Sequence, residues 1–349
     1  MKNKNNAIKD VSIEKLKKQL VVKKIKGKEY YYSRAKINID LGQYRVIKQK
    51  ESYLCPVDSC DFELERCYVA VRKKLFSEFF DFLYDFSKKT YSSEYIGEKE
   101  RKLLEILRFG YNILLKEYGD SDLKRYENSV YVKYVYGTTS IEGNTYTLRE
   151  TDLTLNEGLT VGGKEKREFY EIENYGKLKK YQESVKKIDI NIRFIRKLHS
   201  LIMDNIDANS AGEFRRIDVG LTGTEYEPIP SLFVEEEMEK LVDWYKKNEN
   251  MIHPVELASL FHQRFEEIHP FIDGNGRVGR ELIRLMLEKN KYPTIFIDRT
   301  KREEYLKSLD EGNDGKHKRL VKFIVDDLLA VHDRLLNNAG KSLGENNSF

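Results

Sequence analysis

A mainly α-helical fold, preceded by a small mixed α/β amino-terminal region, is what this sequence predicts. Three observations carry that prediction. From about residue 68 onward apolar residues recur at three- and four-residue spacing, the period of a helix face. Proline is scarce, with 6 in 349 residues, while charged residues reach 34%, a balance that suits soluble helices better than an all-β or disordered chain. Residues 28–54, "KEYYYSRAKINIDLGQYRVIKQKESYL", depart from that period; rich in Tyr, Ile and Val around a "DLGQ" turn signal, they read as a hairpin.

The elements follow in order. Helical spacing appears in "LFSEFFDFLYDF" and again in "RKLLEILRFGYNILLKEYG", and the polar "SSEYIGEKE" between them, residues 92–100, reads as a linker. This places a basic amino-terminal region with a hairpin and a helix at 1–95 and a helical core at 96–340. Thr147 to Glu150, "TLRE", is a capping box that starts a short helix. "NIRFIRKLHSLIMDNI", 191–206, and "SLFVEEEMEKLVDWYKKN", 231–248, are further helices, the second with Ser231 as its expected cap. Between them residues 214–230, "FRRIDVGLTGTEYEPIP", alternate Ile217, Val219 and Leu221, which predicts an extended flap or β-hairpin whose edge could pair with another chain.

Composition narrows the function classes. No apolar run nears the roughly 18 residues a membrane span needs, and the first residues, "MKNKNNAIKD", lack the apolar core of a secretory signal. Cys55, Cys60 and Cys67 are odd in number and locally clustered, a poor disulfide framework that fits a reducing cytoplasm; their spacing matches no tight zinc knuckle. Residues 1–50 hold 15 Lys/Arg against 4 Asp/Glu, while the whole chain carries +4, so the basic character is concentrated in this arm. It reads either as a solvated lysine-rich extension or as an attractor for nucleic acid or another acidic partner.

The stretch "HPFIDGNGRVGR", His269 to Arg280, is the least explicable as plain structure. Glycine inside a helix costs about 1 kcal/mol relative to alanine, so this clustering asks for another reason. Upstream, Leu257, Leu260, Phe261 and Ile268 share one face of a helix that starts after Pro254; downstream, Val278, Leu282, Leu285 and Met286 do the same. The polar loop therefore joins two buried helices, with glycines where the second one opens. Free N–H groups and the helix dipole make such a start an anion site, and glycine lets a phosphate approach the backbone. Arg277 and Arg280 are misplaced for the dipole unless a polyanion binds. Asp273 suits a magnesium ion that keeps most of its waters, and His269 can accept a proton near neutral pH. A helix–turn–helix corner with incidental glycines would not explain the whole set in one loop.

This stretch matches every fixed position of the Fic signature HxFx(D/E)GNGRxxR, and the chain resembles the Fic family from about Tyr131 to Leu329, through "YGTTSIEGNT", "GEFRRIDV" and "YLKSLDEGN". The resemblance implies a Fic-type helical bundle with a β-hairpin flap, and transfer of AMP from ATP to a hydroxyl of a target protein. Under it, His269 takes the proton from the attacking hydroxyl, Asp273 holds Mg2+ against the α- and β-phosphates, and Gly274, Asn275 and Gly276 line the anion hole. Arg277 contacts the phosphates and Arg280 binds the γ-phosphate, with Val278 and Gly279 in the same nucleotide-binding loop, 269–280. The flap, 214–230, resembles the segment that positions a target peptide by strand addition, and its Thr222 and Gly223 join the nucleotide-binding set. Tyr305 and Asn313 fall where the family contacts the base, while Leu306 stands where some relatives carry a second tyrosine.

"TTSIEGN", Thr138 to Asn144, resembles the inhibitory motif (S/T)xxxE(G/N), here Thr138, Glu142 and Gly143, at the end of a helix expected over about 121–143. A carboxylate paired with Arg280 would remove the partner of the γ-phosphate, so Glu142 is expected to act as a brake. A surface acid before a glycine helix stop is the plainer reading of the same residues. The resemblance leaves open self-modification, hydrolytic removal of AMP and a homodimer. A Doc-type phosphotransferase is disfavoured because such relatives lack the arginine at position 280. From another class, a nucleic-acid-binding regulator using residues 1–50 with a nucleotide-sensing core competes with the enzyme.

Overall fold

In the computed structural model, the residues described are 13–14, 16–41, 44–117, 119–185, 188–221 and 224–344. The chain divides into two compact units, Met1–Lys89 and Thr90–Phe349. Residues 1–12 of the basic arm and residues 42 and 43 of the "DLGQ" turn lie outside the described set.

The first unit is a three-stranded antiparallel sheet in the order β1 (Val21–Ile25), β2 (Lys28–Leu41), β3 (Tyr44–Pro56), followed by helix α1 (Asp61–Thr90). The hairpin expected over 28–54 is β2 paired with β3, with a register shift between Tyr31 and Tyr32. Tyr31, Ser33 and Ala35, two apart along β2, are buried, as alternation on a pleated strand requires. Tyr31, Leu54 and Cys55 pack with Leu64 of α1. On the other face Tyr32 lies edge-on to Tyr53, and Glu51 pairs with both Lys23 and Arg34, so part of the basic charge is met locally. Helix α1 begins at Asp61, earlier than the expected 68, because Asp61 and Glu63 suit the dipole of its first turn and Leu64 is already a core contact. The three cysteines are free thiols, Cys55 buried and Cys60 exposed.

The second unit runs through α2 (Glu98–Glu117), α3 (Asp120–Ser140), α4 (Leu148–Glu157), α5 (Lys166–Ser184), α6 (Ile192–Ile202), α7 (Val234–Asn248), α8 (Pro254–Ile268), α9 (Asn275–Lys289), α10 (Arg302–Asn313) and α11 (Lys318–Gly344). Helix α8 is central; it packs on α9, α7, α10 and α11, while α9 also meets α6 and α3. That centrality explains why Val255, Ala258, Phe261 and Phe265 of α8 and Val278, Leu282, Ile283 and Leu287 of α9 are wholly buried. The stretch read as a linker belongs to this unit and is fixed. The Glu256 carboxylate accepts from Ser93 Oγ (2.5 Å), Glu94 N (2.9 Å) and Tyr95 N (3.1 Å), and Ser92 bridges to Ile252.

Several local expectations hold and others are corrected. The capping box forms, with Glu150 N–H donating to Thr147 Oγ1 and Thr147 N–H to Glu150 Oε2. Asn191 caps α6 by accepting from Phe194 N at 2.9 Å. Ser231 is not the cap of α7. It opens a 3-10 turn, Ser231–Phe233, and its amide donates to Asp218 Oδ1 at 2.6 Å. The hairpin expected for the flap does not appear among the described residues of 214–230, which form no strand; Thr222 and Gly223 lie outside them. Pro228 and Pro230 remove two amide donors from the arm that would have to pair. Among the described residues no helix is long and apolar enough to cross a membrane.

Candidate active site

The loop between α8 and α9 is built from its own polar residues. Helix α8 is capped at its carboxyl end by His269, whose φ of 47° is left-handed. Such a backbone costs a non-glycine residue on the order of 1 kcal/mol and persists only when its surroundings hold it. Asn275 does part of the holding: its Oδ1 accepts from Phe271 N (2.9 Å) and its Nδ2 donates to Phe271 O (2.8 Å). Its side chain is therefore spent on closing the loop, which leaves its backbone N–H at the start of α9. Phe271 in turn stacks on His199, ring centroids 3.7 Å apart. His199 Nδ1 accepts from Gly212 N–H (2.8 Å), which puts the proton on Nε2 and lets it donate to Asp273 O (2.9 Å). Burial lowers His199 to about 4, so this tie is made by a neutral ring.

The glycines have separate reasons. Gly274 has φ 82°, and a Cβ there would come within 2.9 Å of Met203 Sδ. A Cβ on Gly276 would lie 2.8 Å from both Arg280 Nη1 and Glu142 Oε1, so glycine keeps open the space between the helix start and that guanidinium. No side chain caps the first turn of α9, which leaves its amides for a ligand. Val278 is wholly buried in the core, and a Cβ on Gly279 would meet His262 at 2.5 Å, so both positions are tightly packed against the rest of the unit.

Two buried arginines rise from this turn. Arg280 Nε donates to Thr138 Oγ1 (2.9 Å), and its Nη2 donates to Thr138 O (3.0 Å) and to Glu142 Oε1 (2.5 Å). All three partners lie 138 or more residues upstream. Gly143 follows with φ 104°, the left-handed turn that ends the segment after α3 and sets Glu142 beside the arginine. Burial pushes the Glu142 carboxyl up, but Arg280 and Arg277 outweigh it and hold the group below its ordinary range. Arg277 reaches Asp273 Oδ1 (3.1 Å) and Glu171 Oε1 (3.2 Å), and Arg167 donates to Asp273 Oδ2 (2.5 Å). Burial raises Asp273 while these two arginines lower it, and the arginines prevail.

His269 lines a cavity of about 280 Å³ together with Glu142, Gly276, Arg280, Tyr305 and Asn313. Burial lowers its imidazole to about 4, with the Arg215 cation adding to the effect, so the ring is an unprotonated acceptor at neutral pH. Glu266 Oε2 faces its Nδ1 at 3.8 Å, and burial raises that carboxyl to about 8. Tyr305 is 2% exposed and its hydroxyl meets His262 Nε2 at 2.6 Å; Asn313 Oδ1 accepts from Gln263 Nε2 at 2.9 Å. Leu306 and Leu221 add apolar wall. The fold thus brings His269, Gly276, Arg280, Glu142, Tyr305 and Asn313 to one cavity, with Asp273 and Arg277 on the adjoining turn. Sequence reasoning missed Arg167, Glu171, His199, Arg215 and Glu266. Only the Arg167–Glu171 pair carried a local signal, its helical i,i+4 spacing.

Residues 189–287 match the Fic/DOC family. A protein named protein adenylyltransferase Fic from Drosophila willistoni is 35% identical over 210 residues, covering 59% of this chain and 42% of that protein. The protein of that name from Drosophila melanogaster is 35% identical over 207 residues, covering 58% of this chain and 42% of its own. The chain thus spans about two fifths of the length of these relatives. Among solved structures, Fic-1 (residues 134–508, E274G) from C. elegans superposes with a TM-score of 0.61 at 28% identity, over 70% of this chain and 73% of that one. A Fic domain containing signaling protein from Bacteroides thetaiotaomicron superposes at 0.56 and 27% identity, over 64% and 91%.

Proposed function

We propose that this chain, which carries a Fic domain over residues 189–287, is an adenylyltransferase that moves AMP from ATP to a protein hydroxyl and is restrained by Glu142. The observation that carries the reading is the convergence of His269, the open start of α9 at Gly276, and Arg280 on one cavity, with the Glu142 carboxylate already seated on that arginine.

In the proposed reaction the amides at the start of α9 and the Arg277 guanidinium hold phosphate oxygens of ATP. Arg280 takes the γ-phosphate once Glu142 has left it, which fixes the α-phosphorus toward the incoming nucleophile. His269 accepts the proton of the target hydroxyl as its oxygen bonds to the α-phosphorus and the bond to the β-phosphate bridging oxygen breaks, releasing pyrophosphate. A divalent cation fits beside Asp273. Magnesium needs few protein ligands when phosphate and water supply the rest. Asp273 is 41% exposed, and Arg167, one of its two arginine partners, is 53% exposed and can give way. When bound, Mg2+ would neutralise phosphate charge there. The base would sit toward Tyr305 and Asn313. Target proteins would dock along the exposed backbone of the flap, where Ile217 is 63% exposed.

The test is label transfer from ATP in the presence of Mg2+. The Glu142→Gly chain should label itself or proteins in a lysate, and the Glu142→Gly/His269→Ala chain should not. Label that persists without His269, or none in either chain, sinks the proposal.

A further inference from the structure

Arg215 stands at the root of the flap with a side chain that is 0% exposed, and its nearest carboxylate oxygen, on the exposed Asp218, is 3.8 Å away. A buried guanidinium without a close counter-ion is costly unless its donors are met. Here they are met by main-chain carbonyls. Arg215 Nε donates to His269 O (2.8 Å), Nη1 to Ile217 O (3.1 Å), and Nη2 to Ile229 O and to Ile268 O (3.3 Å). Its own amide donates to Pro270 O (2.9 Å). The acceptors fall in two groups: both ends of the flap, Ile217 and Ile229, and three consecutive residues around the base, 268–270.

We infer that Arg215 is the positioning residue that fastens the flap to His269, one guanidinium holding both flap ends against the left-handed main chain that aims the imidazole. The inference rests on the reading of His269 as the base and adds how that base and the surface that would take the target are kept in register. Lysine cannot replace the function, because one ammonium cannot serve carbonyls spread around a planar fork. Arg215 also places a fixed cation beside the imidazole. The other groups acting on His269 are the Glu266 main chain on its own helix, the Asp273 carboxylate of the loop and the Glu142 carboxylate from the turn after α3, all favouring the protonated ring; Arg215 opposes them.

Two readouts in the Glu142→Gly background test this without requiring AMP transfer. One is the titration of the His269 ring by NMR, assigned with His269→Ala. The other is hydrogen exchange at the amides of residue 215, on Pro270 O, and of Ser231, on Asp218 Oδ1. In Arg215→Gln both amides should exchange about tenfold faster or more, and the ring midpoint should move up from about 4 toward its ordinary 6.5. In Arg215→Lys exchange should accelerate while the midpoint stays low, since the charge remains. Parental exchange in either folded variant, or an unmoved midpoint in the glutamine variant, overturns the inference; should the glutamine variant fail to fold, the lysine variant decides by its exchange. A chain inactive toward ATP would refute the proposed reaction and leave these results standing.

Discussion

Replacing Glu142 by glycine removes one of three partners of a buried guanidinium, and the size of the effect can be worked from the contacts. Arg280 is 2% exposed, and its two bonds to Thr138, at 2.9 and 3.0 Å, survive the substitution, so the side chain stays aimed at the cavity. What is lost is a charged hydrogen bond of 2.5 Å to a carboxylate whose side chain is 37% exposed. Hydrogen bonds to charged groups contribute about 1.5–3 kcal/mol net, and solvent screening of the glutamate puts this one toward the lower end, about 1.5–2 kcal/mol. That is the margin by which the paired state is favoured over one with the guanidinium ready for a γ-phosphate, a factor of about 10–30. Affinity for ATP with Mg2+, measured by titration calorimetry, should rise by that factor in Glu142→Gly, and initial rates of label incorporation should rise at least as much. Glu142→Gln, which keeps an acceptor without the charge, should fall between. Without nucleotide the glycine variant leaves a buried cation short of a partner and should melt a few degrees lower, a loss that ATP restores. Equal affinities in parent and glycine variant would refute the reasoning.

Gly276→Ala should fold but lose nucleotide binding at least tenfold in calorimetry, because the added methyl occupies the 2.8 Å gap beside Arg280 and Glu142. Asp273→Asn should abolish the gain in ATP affinity that Mg2+ gives while leaving metal-free binding nearly unchanged, since Arg277 and Arg280 remain. Acid should destabilise the chain through its buried neutral histidines. His199, held at about 4 by burial, is protonated earlier in the unfolded chain, so its stabilisation is complete above pH 6.5 and is lost as pH falls toward 4. The loss at the low end is on the order of 3 kcal/mol. Urea midpoints at pH 7, 6 and 5 should fall in the parent and fall less in His199→Gln; parallel slopes would count against this.

The sequence by itself determined the local parts of this protein. Period and caps set α8, α9 and the Thr147–Glu150 start of α4, and "HPFIDGNGRVGR" placed a histidine, an acid, glycines and arginines on one turn because helix geometry relates residues only a few positions apart. The tertiary structure decided the rest. Glu142 meets Arg280 across 138 residues, and Arg167 meets Asp273 across 106. His199 supports the loop between α8 and α9 from 74 residues away, and Arg215 gathers carbonyls from two segments. No periodicity encodes such partners; they are chosen when helices pack and buried charges must find whatever donors and acceptors the core leaves within reach. The same packing set aside two local expectations, since Asp218 took the Ser231 amide and the prolines of the flap left its arms without the donors a strand pair needs.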